Sequence, residues 1–416
     1  MRRDEVRALG ELAGDAAAGI ASQARDVHAG IAQRVFGALG PSAAPVRLAH
    51  DRISGGAYAA ARALTGALVR GGAQVAGLTQ PPDAPSIGDA ARGRVAIGAL
   101  NGAFGDRLHR GASALQTSMA IRRDGHDVSA DAGGLARAFP DATRRLVVFV
   151  HGLCETDEAW RLGARRSVPY GDRLRAELGY TPIYVRYNSG RHISHNGREL
   201  SALLHAVVAG WPVEVTEIAL VGHSMGGLVA RGACHYAGAG DTGAWREPVR
   251  HVFMLGTPHT GAPLELAANA ACHAASLLPE TRPFVAPLKA RSAGVKDLGY
   301  GYVVDEDWEG HDPDAFWTNT GTVVPFMPGA NHYFVSATIS READARLGRV
   351  MGDLLVLHGS AWARERRGER LQFPVERYCH LGGVTHLHLL NHPAVYAQIR
   401  RWLAGARPQL PAPNVA

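Results

Sequence analysis

One thirteen-residue run restricts the fold of this chain more than any other feature. The segment Ile218–Ala230 begins with four apolar residues, continues through Gly-His-Ser-Met-Gly-Gly and ends in a helix-forming stretch. Such a run predicts a buried strand, a tight turn at Ser224 and a helix. Side chains at Gly222 and Gly226 would collide with the neighbouring strand and helix, which explains why glycine stands at both positions.

Strand-like and helix-like runs alternate from residue 117 onwards. Helix-like segments lie at 171–178, 197–209 and 225–237. The strand-like runs are Met119–Arg123, Leu146–Val150, Pro182–Arg186, Glu217–Val221, His251–Leu255 and Tyr333–Ile339. This alternation predicts an α/β fold in which a mostly parallel sheet is covered by helices on both faces.

The first 115 residues differ from the rest, because they are rich in Ala and Gly and follow a helical period. Apolar residues recur every three or four positions until Gly40-Pro41, and further helical stretches follow at 52–70 and 89–109. Gly71-Gly72 and a Pro-rich segment at 80–85 are expected to separate them. We predict a helical N-terminal segment at 1–115, a main domain at 116–405 and a tail at 406–416. Three roles are possible for this segment: packing on the main domain, contact with a membrane surface, and binding of a partner protein.

Charge and composition exclude several classes of function. The net charge is +6, but the arginines are scattered, so we expect no nucleic-acid surface and at most a weak attraction to anionic lipids. The N-terminus lacks the apolar core of a signal peptide, and no stretch is apolar enough to span a membrane. We therefore expect a cytoplasmic protein, in contact with a membrane only at its periphery.

Cysteine usage indicates neither a metal site nor a redox motif. Cys154, Cys234, Cys272 and Cys379 are far apart and form no Cys-x-x-Cys pair. They are expected to be buried free thiols, with one disulfide only if the protein is exported. We expect no cofactor and no metal.

The turn at Ser224 has the form of a nucleophile elbow, in which a serine is exposed at the end of a strand. A second strand, Leu146–Val150, ends in His151-Gly152 upstream of it. A tetrahedral intermediate needs two backbone N–H donors, and the amides of Leu153 and Met225 are the expected pair. Gly152 allows close approach of the backbone. His151 is expected to support this loop rather than carry a proton, and Cys154 beside it to serve in packing.

These segments, together with Leu255–Pro263, resemble the serine esterases and lipases of the α/β-hydrolase superfamily. Within it they are similar to bacterial lipases and to the inositol-deacylase-like and lecithin–cholesterol acyltransferase-like branches, over residues 117–405 or so. The resemblance implies the α/β-hydrolase fold. It also implies that the catalytic residues follow the order Ser, acid, His along the chain.

The acid and the base are assigned through this resemblance. Gly352–Val356 is similar to the acid loop of the family and makes Asp353 the acid, although Leu354 replaces the usual glycine. Asp305 and Asp344 are the alternative acids. The run Gly382–Pro393 resembles the closing histidine loop and makes His386 the base. His388 and His392 are the alternative bases, and a metal site built from these three histidines would lack carboxylate ligands.

The resulting hypothesis is a serine hydrolase that cleaves carboxylic esters with a lipid or other apolar acyl group. A lipid acyltransferase or a thioester or amide deacylase would use the same triad, and a non-catalytic hydrolase-like binding protein is the third alternative. An insertion at about 262–330 is expected to form a cap that lines the acyl groove, or else to be ordinary packing. Its large apolar residues are Trp308, Phe316, Trp317, Phe326 and Met327.

Overall fold

An eight-stranded sheet organises the chain. The computed structural model describes residues 1–237, 241–262, 290–312, 321–340 and 377–405. The strands are β1 (Ala120–Arg123), β2 (His126–Val128), β3 (Arg145–Val150), β4 (Thr181–Arg186), β5 (Glu217–His223), β6 (Val249–Leu255), β7 (Asn331–Thr338) and β8 (Tyr378–Gly382). Their order is β2-β1-β4-β3-β5-β6-β7-β8. Neighbours from β4 to β8 pair in parallel, while β1 is antiparallel to both β4 and β2. The predicted α/β architecture is confirmed.

Nine helices are described. They are α1 (Arg3–Leu39), α2 (Ala44–Leu78), α3 (Ala91–Arg110), α4 (Ala132–Ala138), α5 (Tyr170–Leu178), α6 (Ile193–Gly210), α7 (Met225–Tyr236), α8 (Ala293–Tyr300) and α9 (Pro393–Leu403). The prediction that Gly71-Gly72 interrupts the second helix is wrong, because α2 continues to Leu78. Each glycine costs a helix only about 1 kcal/mol, and α2 packs against α1 along its length. The helices approach so closely that a Cβ at Gly10 would lie 2.0 Å from Ala73 Cβ.

The sheet is buried on both faces. Along β3, Val148 faces one hydrophobic cluster with α4, α6 and α7, and Val147 faces a second cluster with α5 and α9. Successive side chains of a strand point to opposite faces, so a central strand covered on both sides must be apolar throughout. This requirement accounts for the continuous apolar runs of β3 and β5.

The strand order creates a crevice at the carboxyl ends of β3 and β5. From β3 the chain moves to β4 on one side and then crosses to β5 on the other side of β3. At such a switch point the connections leave in opposite directions, and open α/β sheets bind their ligands there. The segments that follow Val150 and His223 therefore meet at the mouth of this crevice.

The described residues form two compact units. The first contains Met1–Gly93 and Leu108–Gln116, and the second contains Arg94–Arg107 together with the sheet. In the first unit, α1 and α2 form an antiparallel hairpin tied by an ion pair between Arg70 and Asp15 at 2.7 Å. Among the described helices, none is both long enough and apolar enough to cross a bilayer.

Candidate active site

Ser224 occupies a strained turn between β5 and α7. Its φ of 53° and ψ of −123° lie where a residue with a side chain is rarely found. A Cβ at Gly222 would lie 2.5 Å from the Gly227 nitrogen, and one at Gly226 would lie 2.2 Å from the Val150 oxygen. Close packing of the turn against β3 and α7 thus excludes larger residues at both positions. The Ser224 amide donates to the Leu255 oxygen at 2.8 Å, which fixes the turn to β6.

The loop after β3 is held by His151, whose imidazole is buried. Its Nδ1 donates to the Gly152 oxygen at 2.8 Å, and its Nε2 accepts the Tyr187 N–H at 3.2 Å. The Tyr187 hydroxyl donates to the His151 oxygen at 2.8 Å, and the two rings stack. Burial lowers the pKa of His151 to about 4. The ring is therefore neutral and fully engaged in supporting the loop.

The amides of Leu153 and Met225 lie on the two segments that meet at the crevice. Neither donates a hydrogen bond to any residue that the structure describes. Met225 is the first residue of α7, so its N–H belongs to the positive end of that helix. Gly152 lies close to the serine, because an added Cβ would be 3.1 Å from Ser224 Cβ.

His386 begins a 3-10 turn, His386–Leu390, shortly after β8. Its side chain is buried beside Gly256, where an added Cβ would lie 2.9 Å from His386 Cε1. The alternative bases are placed differently. His388 is exposed and bonds Thr385 Oγ1 at 3.0 Å, and the Nδ1 of His392 accepts the Ala394 N–H as the cap of α9.

Of the three candidate acids, only Asp305 lies within the described residues. Its carboxylate pairs with Arg198 and it does not line the pocket that contains Ser224. Asp353 and Asp344 lie outside the described residues. The structure therefore separates Asp305 from the pocket of Ser224.

A pocket of about 480 Å³ contains Ser224 and His386. Its wall is largely apolar, and its volume lies within the usual range of small-molecule sites, about 300–1,000 Å³. The apolar side chains come from the segment after β3, from α3, from the segment after β6, from α8 and from the 3-10 turn at His386–Leu390: Val95, Leu153, Ala159, Leu162, Ala262, Val295, Leu298, Leu387 and Leu390.

The expected cap contributes to this pocket through other residues than the aromatic ones. Val295 and Leu298 of α8 line it, whereas Trp308 stacks on His192 with ring centroids 3.7 Å apart. Phe326 and Met327 pack with the core on one face of the sheet. Phe316 and Trp317, with about half of the insertion, lie outside the described residues.

Sequence reasoning missed α3 as part of this site. Val95 lines the pocket, and Gly98 and Gly102 face the loop after β3 so closely that Cβ atoms there would overlap it. An added Cβ at Gly102 would lie 2.3 Å from Cys154 Sγ. The spacing of these glycines along one helix face was the signal for this close approach.

Two further polar residues were also missed. Glu155 and the buried His223 contact each other behind the turn, with His223 Nδ1 3.0 Å from Glu155 Oε1. The sequence separates them by 68 positions, so no local pattern connects them.

The cysteines agree only in part with expectation. Cys154, Cys234 and Cys379 are free thiols, and Cys272 lies outside the described residues. Cys234 is buried, but Cys154 is exposed and lines the pocket, which contradicts the prediction of a buried thiol. Its position after Leu153 at the strand end explains the exposure. Although the residue is exposed, its sulfur packs against Gly102 of α3, and this partial desolvation together with the charge of Glu155 raises the pKa of Cys154.

Similarity to a known protein family covers the centre of the sheet. Residues 141–272 are similar to the PGAP1-like alpha/beta domain. This stretch includes β3 to β6, the loop after β3 and the turn at Ser224. The protein has the α/β-hydrolase fold, and the PGAP1-like stretch carries its central strands.

Three solved structures illustrate the likeness. The propeptide form of the lipase BlEst2 from Bacillus licheniformis is 16% identical with a TM-score of 0.42, over 72% of this chain and 55% of that one. The lin2722 product of Listeria innocua is 14% identical with a TM-score of 0.38, over 64% and 96%. Naproxen esterase from Bacillus subtilis is 14% identical with a TM-score of 0.34, over 63% and 84%. The chain thus spans about half the length of the first.

Proposed function

We propose that the protein is a serine hydrolase that cleaves carboxylic esters with an apolar acyl group. The observation that carries this proposal is the presence of Ser224, in a strained turn at the end of β5, and His386 in one largely apolar pocket. A serine alone is a weak nucleophile and needs an adjacent base. An apolar wall beside both residues fits an acyl chain.

In the proposed mechanism His386 accepts the hydroxyl proton as Ser224 Oγ attacks the ester carbonyl carbon. The resulting oxyanion accepts hydrogen bonds from the amides of Leu153 and Met225, each contributing about 3–4 kcal/mol. His386 then donates its proton to the departing alcohol, which leaves an acyl-enzyme. Water, activated by the same histidine, releases the acid and restores Ser224.

Asp353 completes the proposed triad and would hold the imidazole of His386 in the required tautomer. This role rests on the resemblance of its loop to the acid loop of the family. The pairing of Asp305 with Arg198 supports Asp353 over Asp305, because a catalytic acid must face the base. Replacing Asp353 by Asn should lower kcat strongly, and replacing Asp344 by Asn should not.

The base is tested with a matched pair of variants. His386→Ala removes a side chain that lines the pocket, and His388→Ala removes an exposed one two positions away. We expect kcat to fall by about 10⁴-fold or more in the first variant and to stay within twofold in the second. The reverse result would assign the base to His388.

The central experiment measures hydrolysis of p-nitrophenyl esters from acetate to palmitate by the wild type and by Ser224→Ala. A fluorophosphonate probe locates the labelled residue by mass spectrometry. We expect turnover and labelling to disappear together in the variant. Labelling without ester turnover would favour a thioester or amide deacylase, and ester formation with an added alcohol would favour an acyltransferase. A folded wild type that neither turns over nor labels would be a hydrolase-like binding protein.

We also propose that the hairpin of α1 and α2 contacts a lipid surface. Large apolar side chains near its turn are more than half exposed, among them Val35, Leu39, Val46 and Ile53. Three arginines and one aspartate lie between positions 31 and 53, so this end of the hairpin is cationic. Exposed apolar side chains flanked by arginines match an anionic bilayer surface.

Vesicle co-sedimentation tests this contact. The wild type should sediment with vesicles that contain phosphatidylserine and much less with pure phosphatidylcholine. Val35→Ser combined with Ile53→Ser should abolish sedimentation without changing ester turnover in solution. A wild type that ignores both kinds of vesicle but elutes as a dimer, and becomes monomeric in the double variant, would make the hairpin a contact between two copies.

A further inference from the structure

The ion pair of Glu155 and His223 connects three segments of the proposed active site. Glu155 Oε2 accepts the Gly152 N–H at 2.7 Å, in the loop that carries the Leu153 amide. His223 directly precedes Ser224, and its Nε2 lies 3.2 Å from the backbone oxygen of His386. One carboxylate and one imidazole thus link the loop after β3, the turn after β5 and the turn after β8.

Both ring nitrogens of His223 contact hydrogen-bond acceptors. Its Nδ1 contacts the carboxylate of Glu155, and its Nε2 contacts the carbonyl oxygen of His386. When Glu155 is ionised, both partners accept hydrogen bonds, and both contacts are satisfied together if the two ring nitrogens donate, as they do in the charged form. The His223 side chain is fully buried, and a buried charge is tolerated only when it is paired. Glu155 supplies that pairing.

The carboxylate of Glu155 is suited to remain ionised. Burial by itself raises the pKa of Glu155, but the charge of His223 and hydrogen bonds from His223 and Gly152 together hold it below its ordinary value. Charge-assisted hydrogen bonds of this kind are about twice as strong as neutral ones and hold geometry more firmly.

We propose that Glu155 is a positioning residue, which through His223 and the Gly152 amide holds the oxyanion donors, the nucleophile and the base in their relative places. This inference rests on the proposed function, because it assigns Leu153, Ser224 and His386 the roles given above. Glu155 lines the pocket but reaches the reacting atoms only through its two partners. A displacement of about 1 Å in such an arrangement reduces turnover by about 100-fold.

Glu217 provides a matched control at the opposite end of the same strand. It begins β5, which His223 ends, and its carboxylate also pairs with a histidine, since His251 Nε2 lies 3.4 Å from Glu217 Oε1. The side chains of Glu155 and Glu217 are 13% and 20% exposed. The two carboxylates thus share a histidine partner and similar exposure, while Glu217 lies at the far end of β5 from Ser224 and also binds Arg145.

The test compares Glu155→Gln with Glu217→Gln in ester turnover, in the rate of fluorophosphonate labelling and in thermal unfolding. We expect Glu155→Gln to lower kcat and the labelling rate by about 10- to 100-fold with KM within twofold, whereas Glu217→Gln keeps both rates. Glu155→Asp retains the charge on a shorter side chain and should recover part of kcat. His223→Gln should lower kcat as well, and the double variant should be no slower than the slower single variant.

The outcomes separate the two proposals. If Glu155→Gln loses thermal stability as Glu217→Gln does but keeps kcat and labelling within twofold, the pair is only structural and the inference is overturned. If the wild type itself neither hydrolyses esters nor labels, while Ser224→Ala behaves identically, the proposed function fails and the inference falls with it. Labelling that slows in Glu155→Gln supports the inference even where ester turnover is too slow to measure.

Discussion

Gly102 on α3 offers a sharp test of how the pocket is built. In Gly102→Ala the new Cβ would lie 2.3 Å from Cys154 Sγ, 2.7 Å from the Cys154 nitrogen and 2.8 Å from its Cα. Because two of these atoms belong to the backbone, a change of rotamer cannot relieve the overlap. Overpacking of this kind costs about 1–3 kcal/mol, against about 1 kcal/mol gained in helix propensity.

Gly133→Ala on α4 is the control in the same unit. There the new Cβ would meet only side-chain atoms, at 3.3 Å and 3.4 Å, so stability should be unchanged or slightly higher. Urea unfolding should therefore place Gly102→Ala about 1–3 kcal/mol below Gly133→Ala. In ester turnover, kcat of Gly102→Ala should fall by about 100-fold, because the loop that carries Leu153 is displaced.

A double variant sharpens this prediction. Adding Cys154→Ala to Gly102→Ala removes the sulfur but leaves the backbone overlaps at 2.7 Å and 2.8 Å, so only part of the stability should return. If Gly102→Ala is as stable and as active as Gly133→Ala, α3 does not pack against this loop and the reasoning is refuted. Full recovery of stability in the double variant would show that the backbone at position 154 is free to shift.

Three further results are expected. Val95→Trp should fill the pocket, so that kcat/KM for palmitate falls at least tenfold while that for acetate stays within threefold; equal losses for both esters would contradict the pocket assignment. Gly256→Ala should lower kcat by about 100-fold, because its Cβ would displace His386 and its φ is 63°, and an unchanged kcat would place the base elsewhere. Burial raises the pKa of Glu217, but hydrogen bonds from His251, Tyr180 and Arg145 lower it to about 2. The stabilisation contributed by ionised Glu217 is therefore complete above about pH 4.5 and is lost as the pH falls towards 2. In urea unfolding, the free energies of the wild type and Glu217→Gln should differ by a constant amount above that window and approach each other within it.

The sequence predicted the central strands and missed the edge ones for a physical reason. β3 and β5 are buried on both faces and must be apolar throughout, so their runs are visible in the sequence. β2 and β8 end the sheet on either side, are short, and contain His126, His380 and Gly382 in place of apolar residues. Nothing in such segments distinguishes a strand from a loop until the neighbouring strand is known.

The candidate site likewise contains some residues that the sequence predicts and others that it does not. The turn at Ser224 could be predicted, because its strand, glycines and helix are consecutive and their steric requirements are local. The place of Val95 could not, because the glycines of α3 indicate a close approach but not which loop the helix approaches. The contact between Glu155 and His223 joins two loops that only the strand order brings together, and their residue types alone do not indicate a pair.

Most of α3 belongs to the unit that contains the sheet, although the chain on either side of it belongs to the other unit. Arg94–Arg107 belongs to the unit that contains the sheet, while Met1–Gly93 before it and Leu108–Gln116 after it belong to the other. A single cut near residue 116 would therefore remove Val95 from the pocket and the glycines that accommodate the loop after β3. The smallest continuous stretch that retains the whole described site begins no later than Arg94 and therefore includes Leu108–Gln116, which belongs to the other unit.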